Sequence, residues 1–338
     1  MMAKVHRMEK VSQLHNEIVA YARDVTPTAE EHEECERVIH IVRKACFDTF
    51  GSGVQVTPFG SYANGLATRA SDVDLVITGL IKPDSPEGFF GYKQMRVAQN
   101  LQSLEEVLIN NADLDLKQVQ LVAHTKVPVL KCTTSLGVMI DISINDHSCT
   151  KAAMWVLEKV RQHPAVRPIC LVLKDFLRRY GLSEVRDGGL GGFALTNVVI
   201  AHVLELMKAG APTSDFGDVL ISFFDHFGNV FDSEMQAVCV RRGGVVGKQW
   251  VGNDVMAYRR CRGYRPGQRT YRRHMSIYGE RWFIENPVTG MDVAQGSYNI
   301  HLVRDRFISA FCALTGNAAS KGGPRRSMLA LIFNLRCF

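Results

Sequence analysis

The chain has 338 residues, of which 46% are hydrophobic and 22% charged, and its formal net charge is +6. This is the composition of a globular protein with enough apolar residues for the cores of two domains. No apolar run reaches the roughly 18 residues of a membrane helix, so we expect no membrane partner. The start lacks an apolar signal core, which predicts a cytosolic or nuclear address. Its nine cysteines are scattered and predict reduced thiols without zinc.

The first third of the sequence changes from helical to strand patterns. Apolar residues at helical spacing predict an amphipathic helix over residues 8–24. Thr28 and Glu31 form a capping box that predicts the start of a second helix. After Gly51 the segments VQVTPF, SDVDLVITGL, LKQVQLVAHT, VPVLKCT and VMIDISIN predict short strands, with one intervening helix. We therefore expect a mixed α/β domain.

From residue 150 onward the strand patterns give way to helical ones. Segments such as AVRPICLVLKDFLRRYG and FALTNVVIAHVLELMKAG have helical period. We expect a catalytic α/β domain over 38–148, a mainly helical domain made of 1–37 and 149–316, and a C-terminal tail over 317–338.

Three aspartates occupy segments that are otherwise typical of buried strands. Asp72 and Asp74 point to one face because side chains alternate along a strand. Asp141 projects from the polar face of a strand whose isoleucines bury the other face. Neighbouring carboxylates repel each other unless a cation lies between them. The pattern predicts that these three aspartates hold Mg²⁺ (or Mn²⁺) ions for phosphoryl transfer, with Asp141 also taking a proton from the attacking hydroxyl.

Gly60 and Ser61 precede the aspartate pair. A glycine-bearing turn at a helix start presents backbone N–H groups and a hydroxyl to phosphate. We therefore expect this turn to bind the triphosphate of a nucleotide. An isolated D-x-D is more often a solvated turn, but the three features together favour the metal site.

An arginine- and tyrosine-rich segment, YRRCRGYRPGQRTYRR, occupies residues 258–273 and contains no acidic residue. Arginine binds phosphate bidentately and tyrosine stacks on unpaired bases, so this mixture suits single-stranded RNA. We expect Arg269, Arg272 and Arg273 to contact RNA; the alternative is a solvated loop.

The order G-S, D-x-D and a distant third aspartate resembles the polymerase-beta-like nucleotidyltransferase superfamily. Further segments occur in the order seen in non-canonical poly(A) polymerases of the nuclear RNA-surveillance (TRAMP-type) branch: KVPVLKCT, LVLKDFLRRYGLSEVRDGGLGGFAL, SFFDHFGNVFD and IENPVTGMDVAQGSYN. The resemblance covers about residues 11–312. It implies a palm domain with a mixed sheet and a central helical domain, with the nucleotide in the cleft between them.

The resemblance also implies a function. Members of this poly(A) polymerase branch add AMP from ATP to RNA 3′ ends with Mg²⁺. Membership would imply a nuclear location, or alternatively a cytoplasmic one, and RNA-binding or helicase proteins as partners.

Several residues carry over from the family pattern. Lys174 and Arg178, one helical turn apart, would reach the triphosphate; the alternative is a solvated basic face. Asn145 would contact the ribose, or is a strand-end turn residue. Phe193 takes the position of a tyrosine that stacks on the base, although an apolar residue there is often core. Gly192 replaces a family serine, which removes a hydroxyl contact to phosphate.

The base-reading loop departs from the family triplet G-N-D, because Met291 replaces the asparagine between Gly290 and Asp292. Methionine makes no strong hydrogen bond. Asp292 would accept a hydrogen bond from the adenine amino group, or would cap a helix. We expect adenylate addition; a terminal uridylyltransferase using UTP, a nucleotidyltransferase acting on a small molecule, and an inactive RNA-binding scaffold remain the alternatives.

Overall fold

The structure is a computed structural model that describes residues 2–80, 90–125, 127–144, 147–250, 280–316 and 327–335. In chain order, its elements are α1 Met2–Asp24, α2 Ala29–Phe50, β1 Gln55–Phe59, α3 Gly60–Ala63, β2 Val73–Thr78, α4 Phe90–Ile109, β3 Leu116–Val122, β4 Val129–Thr134, β5 Met139–Ile144, α5 Ser148–Gln162, α6 Val166–Arg179, α7 Gly192–Lys208, α8 Phe216–Asp225, β6 Gln236–Cys239, β7 Gly244–Gly247, α9 Ile300–Thr315 and α10 Met328–Phe333. The expected α/β fold class is confirmed.

The chain divides into two compact units. The sheet unit comprises Val25–Glu158, and the helical unit comprises Met1–Asp24 and Lys159–Phe338. The sheet unit extends beyond both ends of the catalytic domain expected over 38–148. The whole of α2 lies in the sheet unit, because its buried residues pack against the sheet.

The sheet has five strands in the order β1-β2-β5-β4-β3. β2 and β5 pair in parallel, and the other neighbours pair antiparallel. One face carries Leu75, Ile142 and Leu130, which are fully buried in a core shared with α2 and α4. Because strand side chains alternate, residues one position away lie on the opposite face.

The capping box at the start of α2 forms as predicted. The Thr28 hydroxyl accepts from the backbone N–H of Glu31, and the Glu31 carboxylate accepts from the backbone N–H of Thr28. Each bond satisfies an otherwise orphaned donor at the helix start.

The helical unit is built around a cluster of aromatic rings. Phe176 of α6, Phe223 and Phe224 of α8 and Phe307 of α9 are fully buried, and Phe224 and Phe307 each contact the other three rings. The unit also contains an antiparallel β6–β7 hairpin that the sequence pattern did not predict. None of the described helices is long and apolar enough to cross a membrane.

The C-terminal segment is not a separate tail throughout, because α10 packs in the helical unit. Leu329 and Ile332 are buried. The carboxylate of Glu17 in α1 accepts from the Ser327 hydroxyl and the Leu329 N–H, both at 2.8 Å. The Tyr180 hydroxyl donates to the Ile332 carbonyl at 2.6 Å. These contacts fasten α10 to α1 and to the end of α6.

Candidate active site

Strand register places two of the three predicted aspartates side by side. Asp74 on β2 pairs with Asp141 on the parallel strand β5. Paired positions on neighbouring strands share a face, so both carboxylates lie opposite the buried core face. The next strand, β4, places Lys131 beside Asp141, and the Lys131 ammonium forms an ion pair with Asp141 Oδ2.

Gly60 joins this row from the other side. The last residue of β1, Phe59, pairs with Asp74, and Gly60 follows it at the start of the one-turn helix α3. Gly60 has φ +63°, and a Cβ atom added there would collide with the Asp74 carboxylate. Glycine is required at this position for both reasons. The G-S turn and the D-x-D strand, separate in the sequence, therefore meet in the structure.

Asp72 is half-buried and lies one residue before β2. The loop that leads to it is held by short-range hydrogen bonds. The Leu66 N–H donates to Asn64 Oδ1 at 3.0 Å, and the Thr68 N–H donates to Ser71 Oγ at 2.9 Å. The loop thus fixes where the chain enters β2 and where Asp72 stands relative to Asp74.

The carboxylate oxygens are the ligands that Mg²⁺ prefers. The Asp74 carboxylate occupies the space that a side chain on Gly60 would fill, so the glycine lets this carboxylate lie against the backbone of the turn. Within the described part of the chain, no group of three or more His, Cys, Asp or Glu side chains is placed closely enough to hold a metal ion. The carboxylates of Asp74 and Asp141 are suitable metal ligands, and strand register places them next to each other. In the metal-free chain, Asp141 forms an ion pair with Lys131.

In the helical unit, Lys174 lies near the start of α7. Its Cε is 3.6 Å from the position that a Cβ on Gly192 would occupy. Gly191, the N-cap of α7, provides no side-chain cap. A helix start and an ammonium group together favour an anion such as phosphate. Phe193, the second residue of α7, is half-buried and lies outside the buried core.

Arg178 lies within an ion network of its own helix. Its guanidinium pairs with Asp175, and Arg179 Nε pairs with the other oxygen of the same carboxylate at 2.8 Å. Burial acts to raise the pKa of Asp175, but the hydrogen bonds from Arg179 and Arg178 lower it below its ordinary value. Arg178 therefore has a structural partner, which the sequence prediction did not include.

Asp292 holds a loop together. Its Oδ1 accepts from the backbone N–H groups of Ile284 at 3.1 Å and Ala294 at 2.9 Å. Burial raises the pKa of this carboxyl above its ordinary value. The alternative of a helix N-cap is wrong, because the next helix has Asn299 as its N-cap. Met291 beside it is exposed, and its carbonyl accepts from the Asn286 N–H at 2.7 Å.

Sequence reasoning missed Arg241, which supports the same loop. Its guanidinium forms an ion pair with the buried carboxylate of Glu285. One of its nitrogens is 3.0 Å from where a Cβ on Gly290 would lie, and Gly290 has φ +77°. No local signal could have indicated this pair, because its members are 44 residues apart.

Four predicted site residues lie outside the described part of the chain: Asn145, Arg269, Arg272 and Arg273. Their roles remain predictions.

Two family models match the sequence. The model described as poly(A) RNA polymerase, mitochondrial-like, central palm domain matches residues 14–153, and the model described as Cid1 family poly A polymerase matches residues 215–277. Two separate segments of the chain are thus similar to domains of poly(A) polymerases. The resemblance drawn from the sequence motifs is confirmed.

Curated relatives of the chain include proteins named as poly(A) RNA polymerases and one that is named as inactive. Poly(A) RNA polymerase protein 2 of Saccharomyces cerevisiae is 30% identical over 220 residues, 64% of this chain and 35% of the relative. Poly(A) RNA polymerase CID14 of Cryptococcus neoformans is 28% identical over 241 residues, 70% of this chain and 30% of the relative. The inactive non-canonical poly(A) RNA polymerase protein Trf4-2 of Drosophila melanogaster is 26% identical over 265 residues, 76% of this chain and 57% of the relative. The chain thus spans about a third of the first two relatives.

Solved structures of RNA-extending polymerases share the fold. The polymerase core of TRAMP, described as an RNA surveillance complex, matches with a TM-score of 0.69 and 25% identity over 90% of this chain and 87% of that one. The Cid1 poly(U) polymerase matches with a TM-score of 0.67 over 94% of this chain and 98% of that one, and its 15% identity shows the fold alone.

Proposed function

We propose that the chain is an RNA 3′-terminal nucleotidyltransferase that adds AMP from ATP without a template. The observation that carries this proposal is the row of Gly60, Asp74 and Asp141 at one face of the sheet. Carboxylates in neighbouring register with a side-chain-free turn against them suit a nucleotide's phosphates and their metal ions. The named activities of the relatives support the same reaction class.

In the proposed mechanism, Asp72, Asp74 and Asp141 hold Mg²⁺, or Mn²⁺. When bound, the metal would neutralise charge on the triphosphate and on the leaving pyrophosphate. Asp141 accepts the proton of the RNA 3′-hydroxyl, whose oxygen attacks the α-phosphate in line. The bond between the α-phosphorus and the oxygen that bridges it to the β-phosphate breaks, and pyrophosphate leaves. Gly60 and Ser61 position the phosphates.

The helical unit contributes phosphate and base contacts in this proposal. Lys174 and the uncapped start of α7 attract phosphate oxygens. Phe193 stacks on the base through its half-buried ring. Asp292 shapes the base-reading loop and accepts from the adenine amino group with carboxylate capacity beyond its two backbone bonds.

The name of one structural neighbour supports RNA surveillance as the setting, because it is the polymerase core of TRAMP. We therefore extend the proposal to RNA 3′ ends as substrate, with RNA-binding or helicase proteins as partners and a nuclear location. The arginine-rich segment 258–273 is proposed to add phosphate contacts to RNA.

One assay tests the reaction and its alternatives. The purified chain is incubated with a labelled oligoribonucleotide, MgCl₂ and each nucleoside triphosphate separately. We expect extension with ATP, its loss in Asp74→Asn, and its retention in Asp48→Asn, which removes an exposed carboxylate of the same unit. Faster extension with UTP would instead indicate a uridylyltransferase. RNA binding without extension by any nucleotide would indicate an inactive scaffold.

A further inference from the structure

Lys131 adds a positive charge to the row that Gly60, Asp74 and Asp141 form across the sheet. It lies on β4 directly opposite Asp141, and its ammonium is paired with Asp141 Oδ2. The lysine side chain is 46% exposed and the aspartate side chain 22% exposed. The sequence pattern predicts a metal site at Asp141 and indicates no role for Lys131.

The position of Lys131 is set by the sheet rather than by a flexible loop. Its neighbours Leu130 and Cys132 are buried on the opposite face, where they pair with Ile142 and Ile140. A shift of β4 by one residue would expose these apolar side chains, so the register is strongly specified. The fold therefore fixes the lysine backbone beside the Asp141 backbone.

Charge explains why a cation belongs there in the metal-free chain. Asp74 and Asp141 are register neighbours, and two adjacent negative charges repel each other. The Lys131 ammonium supplies one positive charge to this pair. Oxygen Oδ2 of Asp141 cannot be fully engaged by the ammonium and by a metal ion together.

We propose that Lys131 is a resident counter-charge that holds Asp141 in the absence of metal and competes with the divalent cation for its carboxylate. Lys131 is thus a positioning residue that lowers the metal affinity of the site and stabilises its metal-free form. Its four-carbon stem is flexible and half-exposed, so the ammonium can withdraw into solvent when metal binds. This inference rests on the proposed metal site.

The test measures metal binding directly. Mn²⁺ serves as the probe, because its free concentration is read by electron paramagnetic resonance without any turnover. The variants are Lys131→Met, Lys131→Arg, Asp141→Asn and, as the matched control, Lys117→Met. Lys117 is an exposed lysine of the neighbouring strand β3, so its removal changes net charge and sheet charge by the same amount.

We expect Lys131→Met to bind Mn²⁺ about tenfold more tightly, equivalent to about 1.4 kcal/mol, and to have a lower metal-free melting temperature. Lys131→Arg should resemble the natural chain, and Lys117→Met should change affinity less than about twofold, since exposed charges are screened. Unchanged or weaker Mn²⁺ binding in Lys131→Met would overturn the inference. Loss of nucleotide affinity with unchanged Mn²⁺ affinity would also overturn it, in favour of a lysine that contacts phosphate.

The same experiment separates this inference from the proposed function. If the natural chain binds Mn²⁺ and Asp141→Asn weakens that binding, the metal site stands whatever Lys131→Met does. If the natural chain binds no Mn²⁺, or Asp141→Asn leaves binding unchanged, the metal assignment of Asp141 fails, and the role of Lys131 fails with it.

Discussion

Strand register holds the carboxylates of the sheet unit, whereas helix ends and loop hydrogen bonds hold the candidate groups of the helical unit. Asp74 and Asp141 are fixed because the residues beside them, Leu75 and Ile142, are buried on the other face. In the helical unit, Asp292 depends on backbone groups on both sides of its loop. Local alternation therefore specifies the face on which each aspartate lies, whereas the pairing of the two strands and the loop of Asp292 depend on contacts between separate segments.

The largest expected effect is on the sheet unit. Asp74→Asn should slow single-turnover extension at least about 1,000-fold, since it removes a charged group acting at the transition state, a loss of about 4 kcal/mol. The melting temperature should stay the same or rise, because repulsion with Asp141 is removed. Asp48→Asn is the control. An Asp74→Asn variant retaining a tenth of the natural rate would contradict the assignment.

Gly60→Ala should damage the same site through geometry alone. The new Cβ collides with the Asp74 carboxylate and is strained at φ +63°. We expect about a hundredfold slower extension and a loss of about 1–3 kcal/mol of unfolding free energy.

Gly137→Ala separates these two causes. Gly137 has φ +87° with no atom within 4 Å of a new Cβ, so its substitution carries the backbone strain without the collision. Extension should remain normal in this variant, measured beside Gly60→Ala under the same conditions. Equal extension by the two variants would show that the contact with Asp74 does not matter.

Much of the sheet unit could be predicted from the sequence for a physical reason. Period-two alternation identified all five strands and placed Asp74 and Asp141 on polar faces. It could not supply strand order, because pairing joins segments distant in the sequence. Lys131 was missed for that reason, although it alternates with buried Leu130 and Cys132. Its importance appears only once β4 is known to lie beside β5.

The candidate groups of the helical unit were less predictable. The helical period identified α6 and α7, yet the base-reading loop depends on Arg241 and Glu285, far apart in the chain. Asp292 was assigned to base recognition, and its bonds to Ile284 and Ala294 became visible only in the structure. The exception is local: Asp175 lies three residues before Arg178, a spacing typical of helical ion pairs, and was overlooked.

The stability of the helical unit should depend more strongly on acidic pH than that of the sheet unit. Burial lowers the pKa of His202 to about 3, and burial also lowers that of neighbouring His226, while Glu205 and Asp225 act to raise the latter. Below pH 6.5 the unfolded chain binds protons that the folded unit excludes. The stability of the helical unit should therefore fall by up to about 1.4 kcal/mol per pH unit through His202 as the pH decreases from 6.5 towards 3, and His226 should add to the fall in the same direction.

Hydrogen exchange measures this effect unit by unit. Amides of α7 should lose protection between pH 6.5 and 4.5, after correction for intrinsic exchange, more than those of β5. His202→Gln should flatten the dependence in α7, and His301→Gln, which changes an exposed histidine of α9, should not. Equal acid sensitivity in α7 and β5 would count against the buried histidines as its source.

The smallest effect is expected at Arg178, and it sharpens the distinction within the helical unit itself. Its guanidinium forms an ion pair with Asp175, and Asp175 keeps Arg179 as a partner in the Arg178→Ala variant. The nucleotide affinity of this variant should therefore change less than about twofold, and its free energy of unfolding by less than about 1 kcal/mol.

Lys174→Ala removes the ammonium beside the start of α7 and should weaken ATP binding about tenfold. Both are measured by ATP titration of the metal-loaded chain. A tenfold loss in Arg178→Ala would mean that the ion pair with Asp175 opens when nucleotide binds, and that the helix presents both basic side chains to the phosphates.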